Sequence, residues 1–138
     1  MIALDSNLLI YAHRREVPEH RLAREIVEEA SGIEGGWVIP FPCAAEFWSV
    51  VTHPATGSTP AEATAFLEAL VRAGAQIVGP RPGAGERILR LANDLAVNGR
   101  RIYDLQIALI AVEAGAREIW TNDRAFIRIP GLPVRHPF

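Results

Sequence analysis

Short apolar runs separated by longer segments of helical periodicity constrain this fold more than any other feature of the chain. Ile2–Leu4, Trp37–Ile39, Gln76–Val78 and Glu118–Thr121 each read as a strand. The first interval predicts a short helix over Ser6–His13. A second helix over Glu19–Ala30 sets Leu22, Ala23, Ile26, Val27 and Ala30 on one face and is closed by Gly32, Gly35 and Gly36. After a turn bracketed by Pro40 and Pro42, a helix is predicted over Pro42–Val51, with Pro54 just beyond it. Thr59, Pro60 and Glu62 form the clearest helix start in the chain, a capping box with proline at the first helical position. That helix runs to about Ala73. The third interval predicts an amphipathic helix over Gly85–Val97, with Ile88, Leu91, Ala92 and Leu95 inward. It also predicts a helix over Tyr103–Ala114 that is apolar nearly all round and therefore buried. A turn of helix is expected over Asp123–Phe126 and an edge strand at Val134.

Strands alternating with helices imply a parallel sheet covered on both faces. In such sheets ligands sit beyond the carboxyl ends of the strands. The 138 residues suit one compact domain over 1–138, and 49% hydrophobic residues suffice for a core without disulfides. The single cysteine, Cys43, fits a reducing compartment and reads as a small buried hydrophobe. The start of the chain does not resemble a secretory signal, and the longest apolar stretch, Ile107–Val112, is too short to span a bilayer, so a cytoplasmic protein is expected. The net charge of −2 neither suggests nor excludes a nucleic-acid substrate.

Four acids bear on function. Asp5 follows the first strand directly, Asp123 follows the fourth by a Thr-Asn step, and Glu46 lies in the first turns after the second. Asp104 opens the helix that leads into the fourth strand, so its start belongs at the same sheet edge. Asp5, Asp104 and Asp123 also stand at plausible helix starts, where an aspartate caps free N–H groups. Glu46 lies in Cys43-Ala44-Ala45-Glu46-Phe47-Trp48, among residues expected to face a core, so it is expected to be buried and partnered by a metal or by an arginine. Two carboxylates about 4 Å apart repel by roughly 4 kcal/mol at a surface-like dielectric. Convergence therefore implies either protonation or a cation. An all-oxygen donor set suits a hard ion, Mg²⁺ or Mn²⁺. There is no Walker lysine, glycine-rich phosphate loop or nucleophile elbow, which leaves metal-assisted phosphodiester hydrolysis as the reaction class.

These residues fall into segments that resemble a known family. Leu4-Asp5-Ser6-Asn7-Leu8-Leu9-Ile10-Tyr11 resembles the opening motif of PIN-domain nucleases. Glu46 in its apolar helix resembles their second acid, and Tyr103-Asp104-Leu105-Gln106-Ile107-Ala108 the third. Thr121-Asn122-Asp123-Arg124-Ala125-Phe126 resembles the fourth. The motifs run in order over essentially the whole chain, and length and layout are most similar to VapC-type toxins of type II toxin–antitoxin systems. The resemblance implies a three-layer α/β/α sandwich with a short, mostly parallel central sheet. It implies an endoribonuclease using Mg²⁺ or Mn²⁺, a homodimer, and inhibition by a cognate antitoxin. Asp5, Glu46, Asp104 and Asp123 take the metal-binding and catalytic roles. Asn7 would hold the first acid and Thr121 would orient water or phosphate; turn and cap chemistry is the alternative for both. A nuclease of RNA maturation or turnover, or a catalytically silent RNA- or partner-binding module, would share the same fold.

Arg14, Arg15, Arg100 and Arg101 are candidate phosphate contacts, set against the alternative of a solvated face. His13, His20, His53 and His136 lack metal-ligand spacing and read as surface or loop residues. Phe47, Trp48 and Val51 read as core, with a dimer or antitoxin groove as the alternative.

Overall fold

The computed structural model describes residues 1–138. The elements run β1 (Ile2–Leu4), α1 (Ser6–His13), α2 (His20–Ser31), β2 (Trp37–Pro40), α3 (Phe41–Val51), α4 (Pro60–Arg72), β3 (Ala75–Val78), α5 (Ala84–Asp94), α6 (Arg101–Glu113), β4 (Ile119–Trp120) and β5 (Val134–Arg135). The five strands form one sheet in the order β3-β2-β1-β4-β5, and every pairing is parallel.

The path of the chain across this sheet assigns the layers. From β1 to β2 to β3 the chain steps in one direction, and from β3 to β4 it crosses back past β1. Right-handed crossovers then put α1–α4 on one face and α5–α6 on the other. Close packing of α1 on α2 and α3, and of α5 on α6, agrees with that division. Ile2, Leu4, Ile39, Ile119 and Trp120 are wholly buried between the layers. Covering on both faces explains why the central strands are apolar runs rather than alternating patterns. The reversal lies between β1 and β4, and the carboxyl ends of those two strands flank a topological switch point.

The Thr59 capping box is present in full. The Glu62 N–H donates to Thr59 Oγ1 and the Thr59 N–H to Glu62 Oε1, each at 3.1 Å. Several local expectations are corrected. Residues 123–126 form a turn closed by the Phe126 N–H on the Asp123 carbonyl, not a turn of helix. The fourth strand is only Ile119–Trp120, because β5 is itself short and offers few rungs. Leu22 and Leu95 are exposed rather than inward: α2 buries Ala23, Ile26 and Ala30, and α5 ends before Leu95. Trp48 is partly exposed, because α3 turns Cys43, Ala44, Phe47 and Val51 inward instead. His13, His20 and His136 are half-buried and hydrogen-bonded, and only His53 is fully at the surface. No helix is long and apolar enough to cross a membrane.

Candidate active site

Asp5 continues the β1 ladder, its N–H donating to the Trp120 carbonyl at 3.0 Å. Its side chain is the N-cap of α1, with Oδ1 accepting from the Ser6 N–H at 2.7 Å. Capping uses only part of the carboxylate. Oδ2 accepts from the Thr121 hydroxyl at 2.7 Å and from Asn7 Nδ2 at 3.2 Å, and the Cys43 thiol lies 3.5 Å from Oδ1. Donors from β1–α1, α3 and the segment after β4 therefore meet on one buried carboxylate. Such a set fixes its orientation.

Asn7 and Thr121 tie the two strand ends together. Asn7 Nδ2 donates to Thr121 Oγ1 at 3.0 Å, and Asn7 Oδ1 accepts from the Asn122 N–H at 2.9 Å. Thr121 Oγ1 also accepts from the Asp123 N–H at 3.0 Å. The Asn7 and Thr121 side chains thus close the gap between β1 and β4 and set the path of the backbone that carries Asp123.

Asp104 lies in the first turn of α6. Arg100, not Asp104, is the N-cap position, so the capping expectation for Asp104 is corrected. Its carboxyl is held above the ordinary aspartate range, first by burial, then by the charges of Asp5 and Asp123. The Ile127 N–H and Arg101 act in the opposite sense. Three of the predicted acids therefore share one electrostatic field at the switch point. Asp123 is exposed, and its Oδ1 accepts from the Ala125 N–H at 2.9 Å.

Glu46 departs from expectation. It is exposed, because it falls beside the stripe that α3 buries. It makes no hydrogen bond or ion pair with the cluster, and Cys43, which does touch Asp5, lies one helical turn earlier. Burial pushes the Cys43 thiol well up, with the charge of Asp5 adding to that and Glu46 contributing less. Sequence reasoning gave Cys43 packing alone. Its place one turn before Glu46, on a helix starting at the sheet edge, was the available signal for its contact with Asp5.

The four carboxylates do not close onto one ligating point: no three acidic, histidine or cysteine side chains stand at ligand separation. Their donor chemistry nevertheless fits a hard divalent cation. All are oxygens, and the Asp104 carboxyl is raised by burial and then by its acidic neighbours, the second of which a cation would relieve. Among the arginines, Arg101 stands one turn before Asp104, and Arg100 lies over the exposed Tyr103 ring, 5.8 Å from its centroid. Arg14 and Arg15 follow the far end of α1, roughly 12 Å along that helix from Asp5, and Arg14 is paired with Glu16 at 2.8 Å.

The PIN-domain family model matches residues 2–132, and the chain belongs to the PIN-domain family. It is 33% identical to ribonuclease VapC43 of Mycobacterium tuberculosis, over 99% of this chain and 95% of that protein. Among solved structures it is similar to VapC20 of M. tuberculosis, a sarcin–ricin loop cleaving toxin, with a TM-score of 0.70 at 11% identity, covering 91% of this chain and 92% of that one. It is also similar to a toxin–antitoxin complex from Klebsiella pneumoniae, with a TM-score of 0.69 at 19% identity, covering 100% of this chain and 98% of that one. These structural likenesses show the shared α/β/α sandwich.

Proposed function

We propose that residues 1–138 form a single PIN domain acting as a metal-dependent endoribonuclease, the toxin of a type II toxin–antitoxin pair. The observation that carries this reading is that Asp5 and Asp123 follow the ends of β1 and β4 at the switch point, with the Asp104 carboxyl within reach of both charges. The relatives named as VapC ribonucleases, matched over nearly their whole length, support the ribonuclease assignment. The solved toxin–antitoxin complexes of the same fold support an antitoxin as partner; the homodimer is carried over from the family resemblance alone.

Asp5, Glu46, Asp104 and Asp123 are the groups that would hold Mg²⁺ or Mn²⁺. Such an ion, when bound, lowers the pKa of a water and offsets charge on a reacting phosphate. The protein's own contribution is positional. Asn7, Thr121 and Cys43 hold Asp5 in one orientation. Burial, then the charges of Asp5 and Asp123, hold the Asp104 carboxyl above the ordinary aspartate range, and a cation bound there would favour its charged form. Thr121 sets the backbone of Asp123.

The test is RNA cleavage with Mn²⁺ by the wild type and by Asp5→Asn and Asp104→Asn proteins, with thermal unfolding as a check on folding. Cleavage is expected to fall roughly 10²-fold or more, with relief of growth arrest on expression. Unchanged cleavage by a folded Asp5→Asn protein overturns the reading.

A further inference from the structure

Beside the acidic cluster lies an open cleft of about 450 Å³ between the α5–α6 connection and the segment after β4. Three arginines line it, Arg101, Arg124 and Arg128, and no acidic residue does. None of the three is in an ion pair, although the chain carries more acids than bases; Arg124 Nη2 donates to the Phe138 backbone oxygen at 3.3 Å. The floor is apolar, with Phe126 and Ile127 buried and Val97 half-buried.

We infer that this cleft holds the sugar–phosphate backbone of the RNA on one side of the bond that is cut. The inference rests on the nuclease reading above and names the part of the site that grips substrate. Cleft and acidic cluster share a wall. Ile127 lines the cleft, and its N–H faces the Asp104 carboxyl; Arg101 lines the cleft and acts on the same carboxyl. Arg124 directly follows Asp123 in the chain. A backbone lying along the three guanidinium groups would therefore lead directly into the acids. Its own negative charge keeps it out of the acidic centre unless cations hold it, and the arginines supply them at the edge. The guanidinium fork matches phosphate oxygens, and side chains of this kind position a strand without reading its bases.

Two further observations support a built cleft. Ala96, which lines it, is the only non-glycine residue in the chain with positive φ, at 53°. That conformation disfavours a side chain and persists where the surroundings impose it, which is common at binding sites. The N-terminus of α6, with Arg101 as its first residue, has no side-chain cap. The dipole of the helix adds positive potential on the same side.

The experiment measures binding of a fluorescein-labelled single-stranded 12-mer RNA by anisotropy, in chelator so that no cleavage occurs, across a salt series. The proteins are the wild type, Arg124→Ala/Arg128→Ala, and Arg117→Ala/Arg21→Ala as a control remote from the cleft. For the cleft variant, affinity is expected to fall about tenfold at low salt. The slope of log affinity against log salt should fall by about 1.4, two contacts at about 0.7 each for a single strand. The control should match the wild type. An unchanged slope in the cleft variant, an equal loss in the control, or no saturable binding by the wild type overturns the inference. An acidic peptide that competes as well as RNA does would also overturn it, assigning the cleft to a protein segment instead. Failure here leaves the nuclease reading standing if Asp5→Asn still abolishes cleavage, so the two can be told apart.

Discussion

The Thr121 hydroxyl donates to Asp5 Oδ2 at 2.7 Å, joining residues 116 apart in sequence at the seam between β1 and β4. Thr121 is fully buried and its oxygen also accepts the Asp123 N–H, so a single hydroxyl positions two acids. Thr121→Val keeps the shape and removes these two bonds together with the one accepted from Asn7 Nδ2. The bond to the carboxylate belongs to the stronger class, so about 2 kcal/mol of stability should be lost. Cleavage should fall further than that loss of folded protein explains. Thr121→Ser should restore both. Denaturant unfolding beside single-turnover cleavage checks this, and a Thr121→Val protein with full activity would count against the positioning role.

Asp104 ties stability to pH. Its folded-state pKa is raised above the ordinary value of 3.8, first by burial and then by Asp5 and Asp123. The folded protein thus binds the proton more tightly than the unfolded chain. The stabilisation is fully present below the unfolded pKa and is lost as pH rises through the folded one. In chelator, Asp104→Asn should therefore gain thermal stability relative to the wild type as pH rises from about 4 towards neutrality. With saturating Mn²⁺ the order should invert, because a cation at 100 times its dissociation constant stabilises the wild type by about 2.7 kcal/mol. Melting curves with and without chelator decide it. A pH-independent difference between the two proteins contradicts the argument.

How far this site was legible in the chain depends on which interactions are local. The Thr59–Glu62 capping box was readable because all its parts lie within four residues. Asp5 and Asp123 were readable because a parallel sheet sends every strand's carboxyl end to one edge. The exposure of Glu46 was not, since it depends on how α3 is rotated against β2, which its apolar neighbours leave open. Leu22 and Leu95 fail for the same reason: periodicity names a face but not how far its edges are covered. The arginine cleft was beyond local reading altogether. Arg124 and Arg128 meet Arg101 only because the segment after β4 folds back over the start of α6.

His13 introduces a second pH dependence of opposite sign. Its ring stands edge-on to Phe47 and Phe66, at centroid distances of 5.5 and 5.0 Å, and Nε2 is 3.0 Å from Ser58 Oγ. Burial lowers its pKa, Glu62 and Glu16 pull it up, and Arg15 and His20 lower it further. The unfolded chain binds this proton more readily. The stability is therefore present above the unfolded value of 6.5 and lost as pH falls through the folded one. Glu16 and Glu62 have lowered pKa values too, but their unfolded value is 4.5, so their losses belong to more acidic conditions. Urea unfolding from about pH 7.5 to about pH 5 should show declining stability. His13→Gln should flatten that decline. An equally steep decline in the variant would place the titration elsewhere.

Cys43 is wholly buried on the inner face of α3, with its thiol 3.5 Å from Asp5 Oδ1. Burial and the Asp5 charge both push the thiol's pKa up, so it stays protonated and acts as a weak donor. Packing and donation can be separated by two substitutions of similar size. Cys43→Val keeps an apolar side chain and removes the donor. Cys43→Ser keeps a donor but places a hydroxyl where its neighbours are mostly apolar. If packing alone matters, Val should be benign and Ser harmful. If the thiol holds Asp5, Ser should retain kcat despite losing about 1 kcal/mol of stability. Val should then lower kcat about tenfold, as loss of a supporting hydrogen bond to a ligand commonly does, with KM unchanged. The kcat and KM values of the two variants, set beside their unfolding midpoints, separate the two roles. Full kcat in Cys43→Val would reduce Cys43 to a packing residue.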